Sequence, residues 1–232
     1  MTAIQPLRLA ILGSGRGSNF LAIADAIDSG QLPATIVFVG SDNPDAPILQ
    51  AARQRGLFTY ACPPSAFKTK LEPHIEAELA RALLQAQPDL IVLAGYMRVL
   101  KAPLLDTFPG RILNIHPSLL PAFPGLRAWE QALRAGVPET GCTVHWVDAT
   151  IDGGPILDQI NVPILPSDTP ETLHARIQEA EHQLYPAVLA RLALHLNSPA
   201  SSPRPTTAPP AAASPDTLAT LDPPPPPPPP TA

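Results

Sequence analysis

The chain has 232 residues, a formal net charge of −5, two cysteines and 33 prolines, fourteen of which fall in its last 36 residues. Both charge signs are spread along the chain without a long basic block, which argues against nucleic acid as the main partner. Cys62 and Cys142 are too few and too far apart for a disulfide framework or a zinc cluster, and no run approaches the ~18 apolar residues of a membrane span. The segment Leu7–Leu12 carries Arg8 and runs into a glycine loop, unlike a signal peptide, so the body reads as soluble and cytoplasmic.

Short apolar runs alternate with longer amphipathic segments, the pattern of parallel strands joined by crossover helices. Strands are expected at Leu7–Leu12, Thr35–Val39, Phe58–Ala61, Leu90–Ala94 and Ile112–Ile115, and helices at Asn19–Asp28, Pro47–Arg55 and Phe67–Gln85. Beyond Pro117 the rhythm changes to a proline-rich loop, a helix near Ala128–Ala135, and strands near Thr143–Val147 and Ile156–Val162. A last helix opens with Thr169 as N-cap and Pro170 at its first position, and runs to Leu196 through Pro186, where a kink is expected. From Asn197 the composition loses aromatic residues and nearly all charge, so residues 197–232 read as a disordered, proline-rich tail and residues 1–196 as one catalytic-sized α/β domain. The run Pro223–Pro230 can dock in an aromatic-lined groove of a protein partner, although a passive tail is the simpler reading.

Five segments can carry chemistry. Gly13-Ser14-Gly15-Arg16-Gly17-Ser18-Asn19 sits between a strand and a helix, where backbone N–H groups and the helix N-terminus favour an anion. It is also what a tight strand-to-helix turn needs. Ser18 stands where a dinucleotide fingerprint has its third glycine, and no Walker lysine follows, so a small phosphorylated ligand fits better. Asn114 and His116 lie two apart at the end of a strand, a position from which both can enter one cleft. The amide can donate to a developing oxyanion and the imidazole can move a proton, or the pair can simply pin a proline-rich turn. Asp152, ahead of Gly153 and Gly154, is either a turn residue or the carboxylate that orients His116. Glu181 falls within the apolar stripe of Leu173, Ile177, Leu184 and Val188, so it is either an edge residue or a paired, ligand-facing carboxylate. Ala94–Leu100 can line the pocket of a flat ligand or pack in the core.

Gly17-Ser18-Asn19, Ala94-Gly95-Tyr96-Met97-Arg98, Asn114-Ile115-His116-Pro117-Ser118-Leu119-Leu120-Pro121, Phe123-Pro124-Gly125-Leu126, Asp152-Gly153-Gly154-Pro155 and Gln178-Glu179-Ala180-Glu181-His182 together resemble the phosphoribosylglycinamide formyltransferases. The resemblance spans about residues 7–196. It implies a Rossmann-like formyltransferase fold, a mostly parallel sheet with helices on both faces. It also implies formyl transfer from 10-formyltetrahydrofolate, as co-substrate, to the amine of glycinamide ribonucleotide in purine synthesis, without a metal. By the same resemblance Asn114, His116 and Asp152 are catalytic, and Gly17, Ser18, Asn19 and Glu181 bind the ribonucleotide. The folate then lies against Met97, Arg98, Val99, Leu100, Asn114, Asp148, Ala149, Thr150, Ile151 and Lys70, the last standing where the family has arginine. Arg16 replaces a residue commonly small or polar. Similar motifs occur in methionyl-tRNA formyltransferase and formyltetrahydrofolate deformylase, and a non-catalytic nucleotide-binding module remains the alternative from another class.

Overall fold

A computed structural model describes residues 5–196; the tail expected from Asn197 onward lies outside the described residues. The elements follow in the order β1 (Leu7–Leu12), α1 (Ser18–Asp28), β2 (Ala34–Ser41), α2 (Pro47–Gln54), β3 (Thr59–Ala61), α3 (Pro73–Ala86), β4 (Leu90–Leu93), α4 (Ala102–Thr107), β5 (Ile112–His116), α5 (Ala128–Ala135), β6 (Glu139–Trp146), β7 (Ile156–Pro163) and α6 (Pro170–Leu196). They build one seven-stranded sheet in the order β3-β2-β1-β4-β5-β6-β7. The first five strands run parallel, whereas β6 and β7 are antiparallel to their neighbours.

Burial on both faces explains why β4 reads as an unbroken apolar run and β1 as one interrupted only by the half-buried Arg8. Along β1, Leu7, Leu9 and Ile11 join a core beneath α1, α2 and α6, while Ala10 and Leu12 join a second core beneath α3 and α4. This period-two split follows from the pleat. Tyr185 of α6 is fully buried, and its hydroxyl donates a shared hydrogen bond to the carbonyls of Leu93 (3.2 Å) and Leu113 (3.1 Å), fixing the helix under β4 and β5. Chain order reverses between β1 and β4, so the carboxyl ends of these strands and of β5 open a crevice at the switch point.

Local chemistry accounts for the places where the elements depart from expectation. Helix α3 begins at Pro73, six residues later than expected, because Glu72 before it is extended (φ −64°, ψ 147°), the conformation a following proline imposes. Helix α4 was not anticipated: it has six residues, too few for a helical period to emerge. Strand β6 begins at Glu139 rather than Thr143; Gly141 weakens the strand signal, yet a Cβ there would collide with the Ile160 carbonyl of β7. Thr169 caps α6 as expected, its Oγ1 accepting from Thr172 N (3.3 Å) while Thr172 Oγ1 accepts from Thr169 N (2.9 Å). Pro186 lies inside α6 without ending it. Among the described residues no helix is long and apolar enough to cross a membrane.

Candidate active site

Beyond the carboxyl ends of β1, β4 and β5 lies a cleft of about 650 Å³. Its first wall is the loop after β1. Gly13 has no room for a side chain, since a Cβ would sit 2.8 Å from the Ala94 carbonyl oxygen. Gly17 is the N-cap of α1 in the left-handed region (φ 78°), where a Cβ would lie 2.8 Å from Ile48 Cβ. Glycine at 17 therefore lets α1 begin at Ser18 with its free N–H groups at the cleft. Ser14 ties this loop to the next wall, its Oγ accepting from Met97 N (2.8 Å) and its N–H donating to Gly95 O (3.1 Å).

The loop after β4 forms that second wall. Met97 is 58 % exposed and lines the cleft with Arg98, Val99 and Leu100. Arg98 is committed: Nε donates to Asp42 Oδ2 at 2.5 Å and Nη1 donates to the Phe67 carbonyl. Val99 N donates to Thr69 O (2.8 Å), so residues 67–69 are laced to this wall. Thr69 lines the cleft, whereas Lys70 is absent from the lining and places its ammonium 4.6 Å from the Phe67 ring centroid. Of the residues the resemblance assigns to the folate, Lys70 alone is not brought to the cleft wall.

The floor holds the titratable groups. Asn114 and His116 project from the same face of β5. His116, 5 % exposed, has Nε2 3.0 Å from the Phe123 carbonyl oxygen and Nδ1 3.4 Å from Asp152 Oδ2. Asp152 sits in the left-handed region (φ 51°), tolerable for an aspartate, and its Oδ2 also accepts from Gly125 N at 2.8 Å. The turn that presents it is closed by Asp148, whose Oδ1 accepts from Thr150 N (2.8 Å) and from the Thr150 hydroxyl. Those hydrogen bonds from Thr150 hold the Asp148 carboxyl below its ordinary range. Gly154 has no room for a side chain because a Cβ would strike the Trp146 carbonyl, which seats the turn against β6. The two open readings of Asp152 merge: it is a turn residue, and its carboxylate faces His116.

One neighbour was not anticipated. His145 stands opposite Asn114 in the β5–β6 register, and its Nε2 lies 3.2 Å from Asn114 Nδ2 and 3.8 Å from Asp152 Oδ1. Burial depresses its pKa, outweighing the Trp146 carbonyl and the Asp152 charge that act in the opposite sense. The neutral ring donates from Nδ1 to Trp146 O (2.9 Å), which leaves Nε2 to accept from the Asn114 amide. Asn114 is thus turned so that its second N–H is free for the cleft. A titratable residue between Val144 and Trp146 on a strand was the available signal.

The far end of the cleft is closed by α5 and α6. Glu181 is 6 % exposed and accepts from Asn19 Nδ2 at 2.8 Å, so it is no edge residue. Burial pushes its carboxyl up to about 7, only partly offset by the Asn19 hydrogen bond. Gln178 lines the same end, with Trp129 and His174 stacked 3.8 Å between centroids at 7°. Asn19, Ser18 and Gly17 complete it. Among the described residues there is no group of three or more His, Cys, Asp or Glu side chains able to hold a metal ion.

Comparison with known proteins places this geometry. Residues 7–189 match the formyl transferase family model. The chain is 40 % identical over 197 residues to the phosphoribosylglycinamide formyltransferase of Escherichia coli, covering 83 % of this chain and 92 % of that protein. It is 48 % identical over 187 residues to the trifunctional purine biosynthetic protein adenosine-3 of Drosophila melanogaster, covering 80 % of this chain but 14 % of that much longer protein. Glycinamide ribonucleotide transformylase 1 from Symbiobacterium toebii superposes with a TM-score of 0.78 at 45 % identity, covering 82 % of this chain and 89 % of that one. The chain belongs to the formyl transferase family, among the phosphoribosylglycinamide formyltransferases.

Proposed function

We propose that the cleft transfers the formyl group of 10-formyltetrahydrofolate to the primary amine of 5′-phosphoribosylglycinamide, giving formylglycinamide ribonucleotide and tetrahydrofolate in de novo purine biosynthesis. The observation that carries this reading is the convergence of Asn114, His116 and Asp152 between an anion-favouring loop and a largely apolar wall. Gly17, Ser18 and Asn19 bind the ribonucleotide phosphate through the start of α1, and Glu181 accepts from its hydroxyls. The folate lies against Met97, Arg98, Val99, Leu100 and the Asp148–Ile151 turn. Arg98, already bound to Asp42, offers its planar face and its backbone rather than a free charge. For Lys70 a folate contact requires its ammonium to leave the Phe67 ring.

The substrate amine is itself the nucleophile. Its attack forms a C–N bond to the formyl carbon and places negative charge on the formyl oxygen, where the free Asn114 N–H donates and where His116 adds a donor once its Nε2 leaves the Phe123 carbonyl, 3.0 Å away. Asp152, 3.4 Å from the His116 ring, stabilises positive charge on that ring while the oxyanion develops. Collapse breaks the bond from the formyl carbon to the folate nitrogen. The proton lost by the amine reaches that nitrogen by way of His116 and Asp152. The partners are small molecules, and we place the protein in the cytoplasm, consistent with two free, buried cysteines.

Mixing the purified protein with 10-formyltetrahydrofolate and following folate absorbance, with and without the ribonucleotide, tests the reading. Formyl loss should depend on the ribonucleotide. Equal rates without it would assign a deformylase instead.

A further inference from the structure

The anion-favouring end of the cleft carries a cation that the reaction above leaves unused. Three arginines line the cleft: Arg16, Arg98 and Arg127. Arg98 is bound to Asp42, and Arg127 Nη1 lies 3.4 Å from Glu130 Oε1. Arg16, exposed at the tip of the glycine loop one residue before the N-cap of α1, has no carboxylate partner among the described residues. Its charge is felt by His174 of α6, which lies flat on Trp129 of α5 with ring centroids 3.8 Å apart. Burial first, and then the Arg16 charge, hold His174 below its ordinary pKa, so this ring is neutral and the positive charge at this end resides on Arg16. The other groups here are Gln178, the buried Glu181, already satisfied in part by Asn19, and Asn19 itself. Asn19 is 7 % exposed and keeps its Oδ1 without a partner, a buried acceptor that points to a missing ligand with a donor, such as a hydroxyl of a sugar phosphate.

We propose that the Arg16 guanidinium recognises the ribonucleotide phosphate directly, with the stacked Trp129–His174 pair as the wall beside it. The inference rests on the reading of this cleft as a ribonucleotide site and adds a specificity residue to it. The start of α1 supplies N–H dipoles but no formal charge, because its first turn holds no basic residue. A guanidinium at the loop tip adds charge-assisted hydrogen bonds to two phosphate oxygens in one plane, which a lysine cannot reproduce. A phosphorylated amine is thereby selected over the same amine lacking phosphate, and the selection weakens with salt because Arg16 is exposed.

The test uses ribose 5-phosphate as the binding probe, measured by calorimetry, alongside steady-state kinetics with the ribonucleotide. Arg16→Ala should weaken the probe and raise KM for the ribonucleotide by about tenfold, the loss of one charge-assisted contact, with the effect confined to KM. Arg16→Lys should recover part of that loss, and glycinamide riboside, which has no phosphate, should lose nothing with Arg16→Ala. If Arg16→Ala binds ribose 5-phosphate as the wild type does, if neither protein binds it, or if the substitution lowers kcat at constant KM, the inference fails. If the wild type binds the probe in an Arg16-dependent way yet transfers no formyl group, the inference stands and the proposed reaction falls.

Discussion

Replacing Asp152 by asparagine removes one negative charge and almost nothing else. The amide oxygen can still accept from Gly125 N, which the carboxylate does at 2.8 Å, and asparagine tolerates the left-handed backbone at φ 51°. What is lost is the field at His116, whose Nδ1 is 3.4 Å from the carboxylate in a site where the two side chains are 6 % and 13 % exposed. At an effective dielectric constant of about 20, that separation corresponds to about 5 kcal/mol of stabilisation for a positive ring, an upper figure because water still reaches Asp152. If roughly 4 kcal/mol of it is felt only in the transition state, kcat falls by about a thousandfold. The assay is ribonucleotide-dependent loss of formyl-folate absorbance under saturating substrates, with circular dichroism and a melting curve to confirm the fold. A kcat within about tenfold of wild type, in a protein that melts normally, would refute the assigned role of Asp152.

Glu181→Gln should raise the melting temperature above neutral pH while weakening the ribonucleotide. Because the folded carboxyl is raised to about 7, its contribution is fully present below the unfolded pKa near 4.5 and is lost as pH rises through 7. The variant's advantage should therefore be absent near pH 4, grow across that window and level off above it at up to about 3 kcal/mol. Thermal melts of both proteins from pH 4 to 9 check this, and a constant gap would contradict it. Gly17→Ala should destabilise by about 1–2 kcal/mol from the left-handed backbone alone, and further where its Cβ meets Ile48, with a higher ribonucleotide KM. His145→Ala should free the Asn114 amide to rotate and lower kcat by about a hundredfold, with both KM values little changed. A chain ending at Leu196 should keep the activity and melting temperature of the full chain, since the family match ends at residue 189. A drop of several degrees would show that residues 197–232 stabilise the domain.

What could be read from the chain was whatever its local pattern encodes. The bounds of β1 follow from its apolar run ending in glycine, and the opening of α6 from Thr169-Pro170. The pairing of Asn114 with His116 follows from the two-residue period of a strand. Glu181 was visible as a charge in an apolar stripe, though only the fold shows that it meets Asn19, 162 residues away. His145 was hidden because its role depends on the antiparallel β5–β6 register, which no local period specifies. Arg98 was named for the folate wall by resemblance alone, and only the fold shows that Asp42, just beyond the end of β2 and 56 residues earlier in the chain, takes its guanidinium. Lys70 marks the same limit: it lies in an irregular loop whose path is set by Val99, Arg98 and the late start of α3 rather than by any repeating pattern.

The most direct test of the account is the fate of the formyl group in a single turnover. Enzyme in excess over carbonyl-labelled 10-formyltetrahydrofolate, with the ribonucleotide present, is quenched and resolved by mass spectrometry. The account predicts that the label appears on the glycinamide amine in one-to-one proportion to the tetrahydrofolate formed. Label released as free formate, at a rate indifferent to the ribonucleotide, would contradict it.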